Sequence, residues 1–167
     1  AREDDFGHSE QPYWISEAIC DEVDNARVLI REKPIALHMQ IINDFRVDTP
    51  YYVVATVIGN LIRNACHYTD AGEIKVTIDA RQIEVIDTGI GMSQEQLARI
   101  FDLFYRGDNS NQNGKGIGMS LVKRFCDRFH WTISVSSTPG VGTVATIGIP
   151  DASSPIALSS TRANPSP

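Results

Sequence analysis

The chain has 167 residues, of which 42% are hydrophobic and 22% are charged, as expected for a soluble globular domain. Its formal net charge is −6 and it contains no cluster of Lys and Arg, which disfavours direct binding of DNA or RNA. Three widely spaced cysteines without a CxxC pair argue against a zinc site or a disulfide framework and favour a reducing cytoplasm. No apolar run reaches the roughly 18 residues of a membrane span.

Composition divides the chain into three parts. Residues 1–25 are polar and acidic, and we interpret them as a leader or linker with one short helix near Ile15–Val23. Residues 26–150 carry the hydrophobic periodicity of a folded domain. Residues 151–167 are rich in Ser, Pro and Ala, a composition that cannot bury a core, so we expect a disordered tail.

The first half of the predicted domain contains two strands and a long helix. Arg27–Ile30 and Leu37–Ile42 are predicted strands, separated by Lys33-Pro34. Asp48-Thr49-Pro50 predicts a helix start, because a capping residue precedes a proline at the first helical position. The helix should run to about His67, with a buried stripe of Val54, Ile58, Leu61 and Ala65.

The second half is predicted to be richer in strands. Glu73–Asp79 and Gln82–Ile86 should form an antiparallel pair, and Ser93 should cap a short helix over Gln94–Ile100. The polar, glycine-bearing residues 106–116 predict a long flexible loop. An amphipathic helix follows, whose apolar face carries Met119, Val122, Phe125, Cys126 and Phe129. The last two predicted strands are Trp131–Ser137 and Thr143–Ile149. This order predicts an α+β fold, a two-layer sandwich whose mixed, mostly antiparallel sheet has helices on one face.

Three glycine clusters are the strongest local signals, at Asp87–Gly91, Gly114–Gly118 and Gly140–Thr143. Lys115 is followed by glycine instead of Ser or Thr, which excludes the P-loop pattern. The third glycine of the dinucleotide-binding fingerprint is missing after both of the first two clusters. A different phosphate-binding arrangement is therefore needed.

Together with a helix that carries two asparagines, these clusters resemble the ATP-binding domain of sensor histidine kinases, in the wider family of gyrase, Hsp90 and MutL ATPases. The resemblance covers about 26–150 in the family's order: Asn60–Thr69 resembles the N box, Asp87–Met92 the G1 box, Ile100–Gly107 the F box particular to histidine kinases, Gly114–Leu121 the G2 box, and Gly140–Thr143 the last glycine box. It implies a Bergerat-type fold and an ATP-dependent protein-histidine kinase.

The helix asparagines are implied to form the metal end of the site. Asn60, Asn64, His67 and Tyr68 recur at steps that place them along one helix face. An Asn carbonyl is a hard oxygen ligand suited to Mg²⁺. By resemblance, Asn64 is the Mg²⁺ ligand, Asn60 helps to hold the metal site, and Tyr68 belongs to the ATP site.

The G1 box and the last glycine box are implied to read the base. By resemblance, the carboxylate of Asp87 accepts the amino hydrogen of adenine and rejects guanine, which offers a carbonyl instead. Gly89 and Gly91 would let the backbone pass close to the base. Thr143 would add a hydroxyl near the same edge.

The G2 box is implied to hold the phosphates. Gly116 and Gly118 lead into a helix, whose free N–H groups and positive dipole suit phosphate oxygens. Lys115 and Arg106 would add positive charge. The loop 106–116 would be a lid that orders over ATP and excludes water.

Two residues depart from the family's pattern. His67 stands where the family usually has Lys, and an imidazole is charged at neutral pH only if its pKa is raised, so a contact with phosphate stays open. Asn60 stands where the hydrolytic relatives carry a Glu as general base for water. Because an amide cannot take a proton, this position favours transfer to a protein acceptor over ATP hydrolysis.

None of the four histidines lies in a helix of the S-H-E-L-R type that carries the family's phosphoacceptor: His8, His38, His67 and His130. We therefore expect the acceptor on an upstream dimerisation domain before residue 1. The resemblance further implies a response regulator as partner, no nucleic-acid partner, a homodimeric parent anchored in the inner membrane, and this domain in the cytoplasm, monomeric when isolated.

Three alternatives remain. An anti-sigma-factor-type serine kinase is a small stand-alone relative, and the F box argues against it. A degenerate nucleotide-binding module would lack chemistry, although Asn64, Asp87 and the glycine boxes are intact. A DNA-repair or topoisomerase-type ATPase would need a general base where Asn60 stands.

Overall fold

Five strands form the main sheet of this computed structural model, which describes residues 11–103, 105 and 118–151. Two further short strands, β1 (Tyr13–Trp14) and β3 (Arg46–Val47), form a separate sheet. The strands of the main sheet are β2 (Ile35–Ile41), β4 (Gly72–Asp79), β5 (Gln82–Asp87), β6 (Thr132–Thr138) and β7 (Gly142–Gly148). The main sheet has the order β2–β4–β5–β7–β6, with β2 parallel to β4 and the other neighbours antiparallel. The predicted mixed, mostly antiparallel sheet is confirmed.

The helices pack on one face of this sheet. Their bounds are α1 (Ile15–Ala26), α2 (Tyr51–Tyr68), α3 (Gln94–Ala98) and α4 (Gly118–Phe129). The central helix α2 contacts α1, α4 and β5. Between the two layers lies one hydrophobic core, in which Ile58, Ile62, Ile78 and Ile83 are fully buried. The predicted α+β sandwich is thus confirmed, and no helix in the described ranges is long and apolar enough to cross a membrane.

Residues 13–25, which the sequence analysis assigned to a leader or linker, pack into this core. Ile15, Ile19 and Val23 lie on the buried face of α1. The strand β1 pairs with β3 in a small antiparallel sheet next to the start of α1. The short helix predicted near Ile15–Val23 is present as α1, but its place in the core was not predicted, because acidic residues between its apolar positions lower the average hydrophobicity of the segment.

The predicted strand at Arg27–Ile30 is wrong, because these residues form a 3₁₀ helix that continues from α1. Only Ile30 in this segment is buried, whereas Val28 is 60% exposed. The helix start at Asp48-Thr49-Pro50 is also shifted: Pro50 is the N-cap of α2, and no side chain caps the helix. The predicted cap at Ser93 is confirmed as a capping box with Gln96.

Two predicted segments lie outside the described residues. They are the lid over 106–116, with Arg106, Lys115 and Gly116, and the tail over 151–167, of which only Asp151 is described.

Candidate functional site

A cleft opens between α2, the segment after β5, the start of α4 and the inner face of the sheet. A concave site that is mostly apolar and carries a few converging polar groups is typical of small-molecule binding. Its lining comprises Leu61, Asn64, Ala65, Tyr68, Val85, Asp87, Gly91, Met92, Ile100, Met119, Val135, Thr143 and Ala145.

Asp87 is the buried carboxylate of this cleft, at the end of β5 and only 8% exposed. Its Oδ1 accepts hydrogen bonds from the backbone N–H groups of Gly89 at 2.9 Å and Thr143 at 3.3 Å. Burial raises the pKa of Asp87, and these two hydrogen bonds oppose the rise. No described residue donates to Oδ2, so this oxygen remains available to a donor in the cleft.

The segment after β5 is held between the end of α2 and the end of β6. The N–H of Ile90 donates to the carbonyl of Tyr68 at 2.9 Å. A Cβ on Gly89 would stand 2.2 Å from the same carbonyl, and a Cβ on Gly91 would stand 2.1 Å from the carbonyl of Thr138. Both glycines are therefore required by contacts within the protein, and Gly91 also lines the cleft.

Ser137 connects this segment with the β6–β7 hairpin. Its Oγ accepts a hydrogen bond from the N–H of Met92 at 2.8 Å, donates to the carbonyl of Gly142 at 3.0 Å, and lies 2.8 Å from Oγ1 of Thr143. The sequence analysis missed Ser137. The alternation of β6 places it on the same inward face as Val135, and a serine on that face was the available signal.

The two helix asparagines have different surroundings. Asn64 lines the cleft, and its side chain has no hydrogen bond to any residue that the structure describes. Asn60 does not line the cleft: its Nδ2 donates to the carbonyl of Thr56 at 2.7 Å. Its Oδ1 lies 2.7 Å from the point where a Cβ on Gly118 would stand, so a larger residue there would require the Asn60 side chain to shift.

His67 and Tyr68 end α2 on different sides. Tyr68 lines the cleft, and burial, with a smaller contribution from Tyr105, raises its pKa. His67 does not line it. Partial burial, followed by the charges of Lys33 and Arg63, lowers the pKa of His67, which favours the neutral imidazole at pH 7.

Lys33 is a second residue that the sequence analysis missed. Its ammonium donates to the carbonyls of Cys66 at 2.9 Å and Thr69 at 3.0 Å, at the end of α2. A cation at a helix C-terminus satisfies carbonyls that have no partner within the helix and also interacts favourably with the helix dipole. Lys33 therefore stabilises the end of α2, where Tyr68 contacts the segment after β5.

The structure brings five predicted site residues together in the cleft: Asn64, Tyr68, Asp87, Gly91 and Thr143. Four others adjoin these lining residues without lining the cleft: Asn60, His67, Gly89 and Gly118. The predicted site residues Arg106, Lys115 and Gly116 lie outside the described part of the chain.

Residues 53–153 match the family described as histidine kinase-, DNA gyrase B- and HSP90-like ATPases. The match includes all of α2 but its first two residues, the residues that line the cleft, and the whole of β7. The chain belongs to this family. It is therefore an ATP-binding domain of the histidine kinase, gyrase B and HSP90 type, and the resemblance to the histidine kinase catalytic domain is confirmed.

Curated relatives of this ATPase domain are sensor kinases. The chain is 34% identical over 113 residues to sensor histidine kinase YxdK of Bacillus subtilis, a match that covers 63% of this chain and 35% of that protein. It is 31% identical over 156 residues to the autoinducer 2 sensor kinase/phosphatase LuxQ of Vibrio vulnificus, covering 84% of this chain and 18% of that protein. The matched region is thus about a third of the first relative and less than a fifth of the second.

Solved structures show the same fold. The catalytic domain of histidine kinase ThkA superposes with a TM-score of 0.72 at 23% identity, covering 84% of this chain and 94% of that one. Full-length ShkA in complex with AMPPNP gives a TM-score of 0.73 at 23% identity, covering 84% of this chain and 30% of that one.

Proposed function

We propose that this chain is the catalytic ATP-binding domain of a two-component sensor histidine kinase. In this proposal the domain binds Mg-ATP and delivers the γ-phosphoryl group to a histidine on a separate upstream domain. That group then passes to an aspartate of a response regulator. The relatives that are sensor kinases support the class, and the cleft supports the nucleotide.

The observation that carries the proposal is the environment of Asp87. One carboxylate oxygen is fixed by two backbone N–H groups, and the other has no donor among the described residues, in a largely apolar cleft. This arrangement complements the exocyclic amino group of adenine, whereas guanine would present a carbonyl lone pair to a carboxylate. Asp87 therefore orients the base, and the apolar walls exclude water from it.

We propose that the part of the cleft lined by Asn64 holds a magnesium-bound triphosphate. Asn64 offers an amide oxygen with no competing hydrogen bond from the described residues, and Mg²⁺ usually takes one or two protein ligands and completes its shell with phosphate and water. Bound there, Mg²⁺ would neutralise phosphate charge. We propose the start of α4 at Gly118, with Gly116, Lys115 and Arg106 before it, as the phosphate contacts.

Asn60 supports transfer to a protein over hydrolysis. A general base for water must accept a proton, and an amide cannot. The Asn60 amide is also committed to the carbonyl of Thr56. Positioning and charge neutralisation supply most of the catalysis in phosphoryl transfer, so the domain needs a correctly placed acceptor more than it needs a base.

The proposal extends to the whole protein, of which this chain would be one domain. An upstream dimerisation domain would carry the acceptor histidine and make the protein a homodimer. The parent would be anchored in the inner membrane with this domain in the cytoplasm, and its partner would be a response regulator and not a nucleic acid. We expect the isolated chain to be monomeric.

Labelled ATP tests the proposal directly. The chain is incubated with it alone and together with the dimerisation and acceptor domain that we place upstream. We expect the chain alone to bind ATP, hydrolyse it very slowly and remain unlabelled, whereas the added domain should acquire an acid-labile phosphohistidine. Acid-stable label in the chain alone would instead indicate a serine kinase. ATP binding without any label transfer would indicate a nucleotide-binding module.

A further inference from the structure

We propose that Ser137 contributes, together with Asp87, to the base specificity of this cleft by accepting the hydroxyl proton of Thr143. Thr143 would then face the ligand as a hydrogen-bond acceptor, so that the cleft takes a purine with an amino group, and not a carbonyl, at position 6. The inference rests on the proposed binding of ATP and extends it to Ser137, which itself does not line the cleft.

Counting protons gives the direction of each hydrogen bond. The N–H of Met92 can only donate, and the carbonyl of Gly142 can only accept. Ser137 has one hydroxyl proton, and its 3.0 Å hydrogen bond to Gly142 uses that proton. The 2.8 Å contact between Ser137 Oγ and Thr143 Oγ1 also needs a proton, which Thr143 must therefore supply. Once its proton is engaged, Thr143 has only lone pairs left for the cleft.

A second acceptor lies beside this hydroxyl. Thr143 and Asp87 are directly paired across β5 and β7, and the N–H of Thr143 donates to Asp87 Oδ1 at 3.3 Å. Asp87 Oδ2 has no donor among the described residues. Two neighbouring acceptors favour an amino group, which has two hydrogens to donate. A carbonyl in the same place would bring its own lone pairs against those of the two acceptors. All of these buried polar groups would then lack a hydrogen-bond partner, and this cost discriminates strongly between ligands.

A purely structural role for Ser137 would give a different result. Ser137 also holds Met92, which lines the cleft, so removing its hydroxyl could loosen the site as a whole. Loosening would lower the affinity for every purine nucleotide by a similar factor. Loss of the acceptor for the Thr143 proton would instead let that hydroxyl donate into the cleft. This change would weaken the binding of ATP and favour the binding of a nucleotide with a carbonyl at position 6.

The experiment measures binding of ATP and inosine triphosphate, which carries the carbonyl, to the full chain by calorimetry. The variants are Ser137→Ala, Ser137→Thr and, as a matched control, Ser136→Ala on the exposed face of the same strand. One hydrogen bond corresponds to roughly two- to tenfold in affinity. We expect Ser137→Ala to narrow the preference for ATP over inosine triphosphate by about fivefold. Ser137→Thr should keep the preference, and Ser136→Ala should leave both affinities unchanged.

The outcomes separate this inference from the proposed function. If the unsubstituted chain binds neither nucleotide, the proposed function itself is wrong. If it binds ATP, but Ser137→Ala weakens both nucleotides equally, the specificity role of Ser137 is wrong. Should Ser137→Ala fail to fold, Thr143→Val removes the proposed acceptor directly and must narrow the same preference. An unchanged ratio in Thr143→Val would overturn the inference.

Discussion

At the base end of the cleft, which we define as Asp87, Ser137 and Thr143, the polar groups are joined to one another by hydrogen bonds. At the phosphate end, defined as Asn60, Asn64 and Gly118, the Asn64 amide has no hydrogen bond to a described residue. Groups already held in place lose little freedom when a ligand binds. The base end should therefore recognise adenosine by itself, whereas the phosphate end should contribute only when Mg²⁺ and phosphates complete it.

The largest expected effect tests the phosphate end. Asn64→Ala removes the proposed metal ligand, so the gain in ATP affinity on adding Mg²⁺ should be lost. Calorimetry with and without Mg²⁺ measures this gain. Adenosine binding is the internal control and should not change, because the base end is intact. An undiminished response to Mg²⁺ would show that Asn64 is not a ligand.

The base end is tested by Asp87→Asn. Hydrogen bonds to charged groups contribute roughly 1.5–3 kcal/mol, so the affinity for ATP should fall by about tenfold or more. The affinity for adenosine should fall by the same factor with or without Mg²⁺, whereas Asn64→Ala should leave it unchanged. Glu84→Gln, on the opposite face of β5, is the charge-matched control. If adenosine affinity were unaffected, or if GTP competed as well as ATP with the unsubstituted chain, the adenine-reading role of Asp87 would be wrong.

Asp87→Asn should weaken nucleotide binding but raise the stability of the folded chain at neutral pH. The pKa of Asp87 is raised above its ordinary value of 3.8 by burial, so folding disfavours the charged form. The folded state then binds more protons than the unfolded state in the window above 3.8, and stability falls as pH rises through the folded pKa. Asp87→Asn escapes this loss and should melt at a higher temperature than the parent at pH 7. The difference should shrink as pH falls below 4 in thermal melts, and a lower melting temperature at pH 7 would contradict the pKa shift.

The sequence predicted the base end better than its supports. Asp87, Gly91 and Thr143 belong to short motifs, and such local patterns are visible in one sequence. The hydrogen bonds of Ser137 join residues that are 45 positions apart in the case of Met92, and no local pattern encodes such a pairing. Only the inward position of Ser137 on β6 pointed to a role.

Packing also decided elements that local pattern could not. Lys33 was assigned to a connection, although its ammonium caps the end of α2 some 33 residues later. Arg27–Ile30 has the composition of a strand, yet the preceding helix α1 continues into it as a 3₁₀ turn. The buried face of helix α1 itself depends mainly on α2 beside it. These features depend on tertiary contacts and not on propensity.

The smallest expected effect concerns His67, at the edge of the phosphate end. If His67 replaced the family's lysine as a phosphate contact, ATP would bind more tightly at pH 6 than at pH 8, and His67→Lys would flatten that dependence. The pKa of His67 is lowered by burial and by nearby Lys33 and Arg63, so the ring stays neutral above its ordinary value of 6.5. We therefore expect constant ATP affinity from pH 7 to pH 8 with Mg²⁺ saturating. His67→Lys should raise the affinity by no more than about fivefold, because a partly exposed charge contributes roughly 0.2–1 kcal/mol. Calorimetry across this range checks both expectations. A steady gain in affinity of the parent as pH falls from 8, absent from His67→Lys, would show that bound phosphate overcomes the lowered pKa and would make His67 part of the phosphate end.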